Sequence, residues 1–276
     1  MEIGFMPLFI NIVCLTLFSL WFTPIAQATE PLVDLKTSFS ARTYPIGAQF
    51  AASPGIALPI WGDTSTWKYG YARLGLNLAS SLVVNRAGVE IQVNPISILG
   101  LSAGYDTGVR NITPKYLDCS LYECNHRLDR KYLKMLLLGA SHGVILSVMG
   151  RYEELRAYGS RKPFFDEMTL LVGKSTGENV LTWNPALLYV LNENWKLGAT
   201  SLYSHALDTG DYSHLYGPVG SYTVSPQFNI LGGGGLNRSP VVHSGWAAFF
   251  VLQYTVEPSL SIVDLPLRKK SYSGIF

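Results

Sequence analysis

The chain has 276 residues, 48% apolar and only 14% charged, with a formal net charge of +2 and a mean hydropathy of +0.19. Charge this sparse is well below the roughly 25% usual in soluble domains and argues against an ordinary soluble fold. The length suits one closed barrel or one long all-β domain.

Residues 1–28 carry an apolar run from Phe5 to Phe22, then Thr23-Pro24 and Ala26-Gln27-Ala28. Small residues at both positions before Thr29 match a cleaved export signal, although the basic n-region is missing; the alternative is a retained N-terminal anchor. The expected mature domain is residues 29–276. Losing Glu2 with the signal leaves 18 acidic against 21 basic residues, a net charge of +3. Beyond residue 28 no stretch holds the roughly 20 unbroken apolar residues of a membrane helix.

The mature chain reads in steps of two. Strands are expected at 33–41 and at 49–60, the second weakened by Pro54 and Pro59. In 67–84, Trp67, Tyr69, Tyr71, Arg73, Gly75 and Asn77 alternate with a set ending in Ala72, Leu74, Leu76 and Leu78. A turn at 85–88 leads to a strand at 89–94, where Val89, Ile91 and Val93 alternate with Glu90 and Gln92. A turn at 94–97 leads to 98–107. Further strands fall at 130–139, 144–154, 164–173, 180–189 and 195–204. Residues 221–230 alternate most cleanly, with Tyr222, Val224, Pro226, Phe228 and Ile230 against Thr223, Ser225, Gln227 and Asn229. The series closes with 246–256 and a short segment at 260–265. That makes about 12 strands, within a range of 10 to 14, many near ten residues, the length a tilted membrane strand requires.

Connections come in two kinds. Tight ones are 85–88, 94–97, 141–143 and 192–194; long polar ones are 107–129, 156–163, 207–220 and 232–244. In this pattern two tight turns follow one another across a short strand, and 156–180 needs one crossing more or fewer than alternation assigns. Cys119 and Cys124, in CSLYEC within the first long loop, are expected to form a disulfide. Gly232 to Gly235 lack the Lys-Ser/Thr of a phosphate loop and read as a flexible connection.

Alternation admits two solvents. In a soluble sandwich the apolar face is the core; in a membrane barrel it meets lipid. The export signal, the amphipathic strands, the aromatic strand ends and a terminal Phe276 resemble a bacterial outer-membrane β-barrel protein. The resemblance is one of pattern and departs at the tail, where Arg268-Lys269-Lys270 precede Ser271 to Phe276. It implies an all-β, antiparallel transmembrane barrel in the bacterial outer membrane, a monomer in contact with lipid and lipopolysaccharide and assembled by the barrel-assembly machinery. No cofactor, metal or nucleic-acid partner is expected.

A lumen-lining set follows from charge. Basic side chains facing mid-membrane lipid cost about 2 to 4 kcal/mol each, so Arg73, Glu90, Gln92, Lys134, Arg151, Glu153, Lys196, Gln227 and Asn229 are expected to point inward. Arg73 and Glu90, on consecutive strands, are a candidate plug pair. Four Ser-His neighbours (141–142, 204–205, 213–214 and 243–244) offer no nucleophile and base, because adjacent strand residues point to opposite faces. No catalytic residue is assigned. Asp166-Glu167, Glu153-Glu154 and Asp208 with Asp211 read as solvated loop ends or rim cation sites. The leading function is a narrow passive channel for small hydrophilic solutes. The alternatives are a closed barrel that binds partners through its long loops and a barrel enzyme acting on lipid.

Overall fold

The computed structural model describes residues 30–256 except 45, 63–68, 82, 113–117, 125, 160 and 241–243. The expected export signal, the segment 260–265 and Phe276 lie outside the described residues.

Alternating side chains give twelve long strands: β1 (Leu32–Thr43), β2 (Ile46–Gly62), β3 (Tyr69–Ser81), β4 (Val84–Ile96), β5 (Leu99–Arg110), β6 (Arg127–Ser141), β7 (Val144–Tyr158), β10 (Glu178–Val190), β11 (Trp195–Ala206), β12 (Tyr212–Ser225), β13 (Phe228–Arg238) and β14 (Gly245–Thr255). Two three-residue strands, β8 (Phe164–Asp166) and β9 (Leu171–Gly173), lie between β7 and β10. The long strands pair antiparallel with their neighbours, β7 with β10, and β1 closes on β14 through Lys36↔Thr255 to Arg42↔Phe249. The result is a closed twelve-strand barrel. Closure pairs every long strand on both sides, so no ladder edge is left for another chain to join.

Closure fixes which face meets what. Outward stand Leu74 (61% exposed), Ile91 (58%), Leu133 (62%) and Leu187 (53%). Inward stand Tyr71, Arg73, Glu90, Tyr132 and Glu153, all buried. Apolar side chains therefore face away from the protein and polar ones face each other, the reverse of a sandwich. Among the described residues no helix is long and apolar enough to cross a membrane; the apolar band is carried by strands.

The irregular parity disappears. Residues 85–88 are inside β4, not a turn, and the β3–β4 connection falls just before Val84. Residues 164–173 are not a crossing but the β8–β9 hairpin. The strand expected at 221–230 is broken by a turn at Pro226 and Gln227, because proline has no N–H to give a ladder. Its two halves belong to β12 and β13, and each keeps its expected facing. The loops expected at 207–220 and 232–244 are largely strand. Gly232 to Gly235 are not a flexible connection but the middle of β13, where backbones approach so closely that a Cβ on Gly235 would run into the Tyr216 carbonyl. The connections near 97–98, 142–143, 191–194 and 226–227 share one end, the inner end, with the start of β1 and the finish of β14. The loops between β5 and β6, β7 and β10, β11 and β12, and β13 and β14 share the outer end.

Candidate functional site

The barrel interior is the candidate site, and it is layered. Midway along it, Arg73 on β3 donates from Nε to Asp34 Oδ2 of β1 at 2.6 Å and from Nη2 to the Ser53 carbonyl at 2.6 Å. Glycine makes room for this guanidinium: a Cβ on Gly55 would lie 2.8 Å from Arg73 Nη2. Ser53 Oγ donates to Asn77 Oδ1 (3.0 Å), Asn77 Nδ2 to Tyr132 Oη (2.7 Å), and Tyr132 Oη to Glu90 Oε2 (2.9 Å), which also accepts from Lys134 Nζ (2.8 Å). Arg151 stacks 4.1 Å above the Tyr132 ring and pairs with Glu153 at 2.9 Å. Glu153 in turn pairs with Arg130 Nε at 2.9 Å. One chain of contacts thus runs across β1 to β7. Burying so many charges is tolerable only because each meets an opposite partner at close range.

At the outer mouth the network meets the β8–β9 hairpin. Arg130 Nη2 donates to Asp166 Oδ1 at 2.8 Å, and Asp106 lies 3.5 Å from Arg130 Nη1. Arg110 donates to the Phe165 carbonyl at 2.8 Å and pairs with Glu167, while Arg42 donates to the Glu167 carbonyl at 3.0 Å. Three arginines from β1, β5 and β6 therefore grip one turn. Asp166 shapes that turn by accepting from Thr169 N and Oγ1 (3.2 and 2.7 Å). Leu170, at φ 61°, takes a left-handed backbone conformation that leucine rarely adopts, a strain borne where its side chain is buried with Phe165. Phe164 and Leu171 pack on Leu155, Val180 and Ala206 of the wall.

Neighbouring loops hold the hairpin from outside. Glu123 N donates to the Pro163 carbonyl at 2.8 Å, and Val172 N donates to Asp211 Oδ2 at 2.9 Å. Cys119 and Cys124 are joined by a disulfide, and Cys124 packs against the Phe165–Leu170 pair.

The electrostatics follow from these partners. Burial pushes the Glu167 carboxyl up to about 6, with Arg110 opposing the rise only in part. Burial also pushes Asp166 up, but Arg130 and Thr169 outweigh it and hold that carboxyl below the usual range. Burial and the nearby Arg110 push His126 down. Asp166, Glu167 and Asp211 are thus tied into the fold through side chain or backbone, not solvated loop ends. Among the described residues no cluster of histidine, cysteine or carboxylate side chains could hold a metal ion.

One side of the inner half is apolar. Leu138, Ile145, Leu188 and Val219 form a buried cluster, with Ile98, Leu136, Val190, Leu231 and Phe249 packed against it. From the middle toward the outer end, against the opposite wall, where β1, β2 and β3 turn serine, alanine and glycine inward, a cavity of about 220 Å³ remains. Lys36, Ser38, Ser53, Asn77, Arg86 and Asp106 are among its lining residues.

Outward apolar strands, an inward polar network and short turns at one end decide the type. The chain is a closed antiparallel β-barrel with the apolar-out, polar-in facing of a transmembrane barrel. No protein-family profile matches the sequence, and no curated protein matches it. Among solved structures, the KdgM porin is similar over 80% of this chain and 98% of its own, at 12% identity and a TM-score of 0.44. LpxR from Salmonella typhimurium is similar over 80% and 99%, at 10% identity and 0.47. The translocator domain of autotransporter NalP from Neisseria meningitidis is similar over 90% and 96%, at 13% identity and 0.38. The barrel assignment itself rests on the strand pairing.

Placed on this barrel, the expected lumen residues separate into groups. Arg73, Glu90, Lys134, Arg151 and Glu153 join the connected network. Gln92 donates to Asn94 Oδ1 at 2.6 Å and to Tyr71 Oη at 3.3 Å, on the same wall. Lys196 is buried at the inner end, between Val190 and Ser221 in the pairing. Asn229 faces inward between Thr223 and Gln253. Gln227 does not line a strand wall; it stands in the β12–β13 turn. Arg73 does not pair with Glu90: register sets Gly75 opposite Glu90, and the arginine reaches across β2 to Asp34 instead.

The residues missed by sequence reasoning are Asp34, Arg42, Asp106, Arg110 and Arg130. Extending the same two-residue alternation along β1, β5 and β6 would have named all five. Nothing in the sequence signalled that Asp166 and Glu167 enter the barrel.

Proposed function

We propose that this barrel resides in the bacterial outer membrane and forms a narrow, gated passage for small hydrophilic solutes, with a weak preference for anions. The observation that carries the reading is the eccentric cavity on the small-residue wall, together with the hairpin beside it. Lys36 and Arg86 set two cations against Asp106 in its lining, and Arg86 also touches Met168 Sδ of the hairpin turn at 2.8 Å. Movement of the hairpin would open the outer side of this space; the polar lining replaces part of a solute's hydration shell. A twelve-strand barrel is wide enough for such a route once one wall carries only small residues.

The outward charges gather near the outer end, where Arg127, Lys131 and Arg156 stand with Asp129 and Glu154 on β6 and β7. Phosphates of lipopolysaccharide would meet them there. Conductance of the full chain in planar bilayers tests the passage: steps that grow when the hairpin lock is broken support it.

The apolar cluster across the inner half favours a second reading, a closed barrel that presents its outer loops to a partner. Absence of conductance both in the intact chain and in a lock-broken variant would leave that second reading and remove the first.

A further inference from the structure

The strand register brings together a serine and a histidine from consecutive strands that face away from the lumen. β11 and β12 pair with Ser201 opposite Tyr216 and Tyr203 opposite His214. Ser201, Tyr203 and His205 share the outward face of β11 with Trp195 and Leu197, while Lys196 and Ser204 point inward. His214 shares the outward face of β12 with Tyr212, Tyr216 and Tyr222. Across this pairing Ser201 Oγ lies 2.8 Å from His214 Nε2. With the neutral ring carrying its proton on Nδ1, the hydroxyl donates and the imidazole accepts.

Three surroundings distinguish this pair from the other Ser-His neighbours. The Tyr203 ring stands edge-on to His214 (5.6 Å, 88°) and Tyr216 lies tilted at 4.8 Å, so the imidazole is held between two aromatic rings. Arg238, exposed on β13 and opposite His214 in the ladder, places a guanidinium 5.8 Å from the Tyr216 ring. His214 and Arg238 stand near the outer ends of β12 and β13, where an outward ionisable side chain costs least. By contrast, Ser141 reaches His142 Nδ1 at 2.8 Å only in the exposed inner-end turn, where His142 leaves strand geometry at φ 49°. Ser204 bonds inward to Thr182 at 3.0 Å, away from His205.

We propose that Ser201 and His214 form a nucleophile and base on the membrane-facing wall that hydrolyse acyl esters of membrane lipids, with Arg238 receiving a headgroup phosphate. Ser201 Oγ bonds to the ester carbonyl carbon as its proton passes to His214 Nε2. The C–O bond to the lipid alcohol then breaks, and the departing oxygen takes that proton. Water cleaves the acyl-serine with His214 again relaying the proton, so one ester and one water give one fatty acid and one deacylated lipid. Tyr203 and Tyr216 act as positioning residues. The activity is independent of the passage, since neither side chain faces the lumen.

The test uses the full chain folded in detergent micelles, with heat-modifiable gel migration reporting the folded barrel. Mixed micelles of phospholipid with a labelled acyl chain are the substrate, and a fluorophosphonate is the serine probe. Expected are labelled fatty acid release, a fluorophosphonate adduct mapped by mass spectrometry to Ser201, and loss of release by at least about a hundredfold in Ser201→Ala and His214→Phe. Ser141→Ala should match the unmodified chain. Should either variant fail to fold, the adduct position on the unmodified chain decides alone. No release with no adduct on Ser201, or undiminished release from folded Ser201→Ala, overturns the proposal and leaves the pair as polar groups that satisfy one another.

Discussion

The outer mouth and the inner half of this barrel are both filled, by opposite chemistries. At the mouth, a hairpin carrying Asp166 and Glu167 sits among Arg42, Arg110 and Arg130. In the inner half, Leu138, Ile145, Leu188 and Val219 close on one another. Buried charges cost several kcal/mol each and are tolerated only while every partner stays, so the mouth fails abruptly when one partner or one proton is taken away. Apolar packing loses strength in proportion to what is removed. The proposed gate belongs at the first kind of closure; the second kind holds the wall together.

Removing the central cation is expected to have the largest effect. Arg130→Ala leaves Asp106, Glu153 and Asp166 without their shared partner, at a cost of about 3 to 5 kcal/mol. Limited proteolysis between 159 and 177 should change from resistant to rapid while the folded gel band persists, and bilayer conductance should rise. Retained resistance would place the hold in Phe164 and Leu171 instead. Next, Leu188→Ala should cost about 2 to 3 kcal/mol through the cavity it leaves. Urea midpoints should fall while hairpin proteolysis stays slow; faster cleavage there would mean that the two closures are coupled.

Smaller is the response to pH. Because Glu167 is raised to about 6 in the docked hairpin, docking is strongest below its ordinary value near 4.5 and weakens as pH rises through 6. Asp166, held low, acts with the opposite sign and only below the ordinary carboxylate range, outside this window. His126, pushed down by burial where it packs on Phe164, acts with the opposite sign inside this window, so the Glu167 part is read as a difference: cleavage of the unmodified chain relative to Glu167→Gln should increase from pH 5 to pH 7, by up to roughly tenfold. A decrease would reverse the assigned sign. Least of all, Glu154→Gln on the exposed outer wall, where Glu154 pairs with Arg156 at 2.6 Å, should shift stability by no more than about 0.5 kcal/mol. A larger shift in denaturant midpoint would show that the outer-end charges form a network.

Much of this could be read residue by residue. Two-step alternation placed Leu74, Ile91 and Leu133 outward and Arg73, Glu90 and Lys134 inward, since a strand offers only two faces. Composition and strand length pointed to closure without proving it. What alternation could not do was say which inward group meets which. Arg73 finds Asp34 because β1 and β3 flank β2, and Glu90 finds Lys134 two strands away along the wall; both depend on register and curvature, which no local pattern encodes. The hairpin was invisible for a related reason: Phe164 to Gly173 are apolar enough to pass for a crossing strand, and only the surrounding arginines draw them into the mouth.

By itself, then, the sequence determined the period of the strands and the side that most strand residues take, because these follow from local geometry and from the cost of charge in lipid. The tertiary structure alone decided the ring closure, the arginine hold on Asp166 and Glu167, and the meeting of Ser201 with His214. The first two join residues far apart in the chain and the third joins consecutive strands, and each distance is set by how neighbouring strands slide into register.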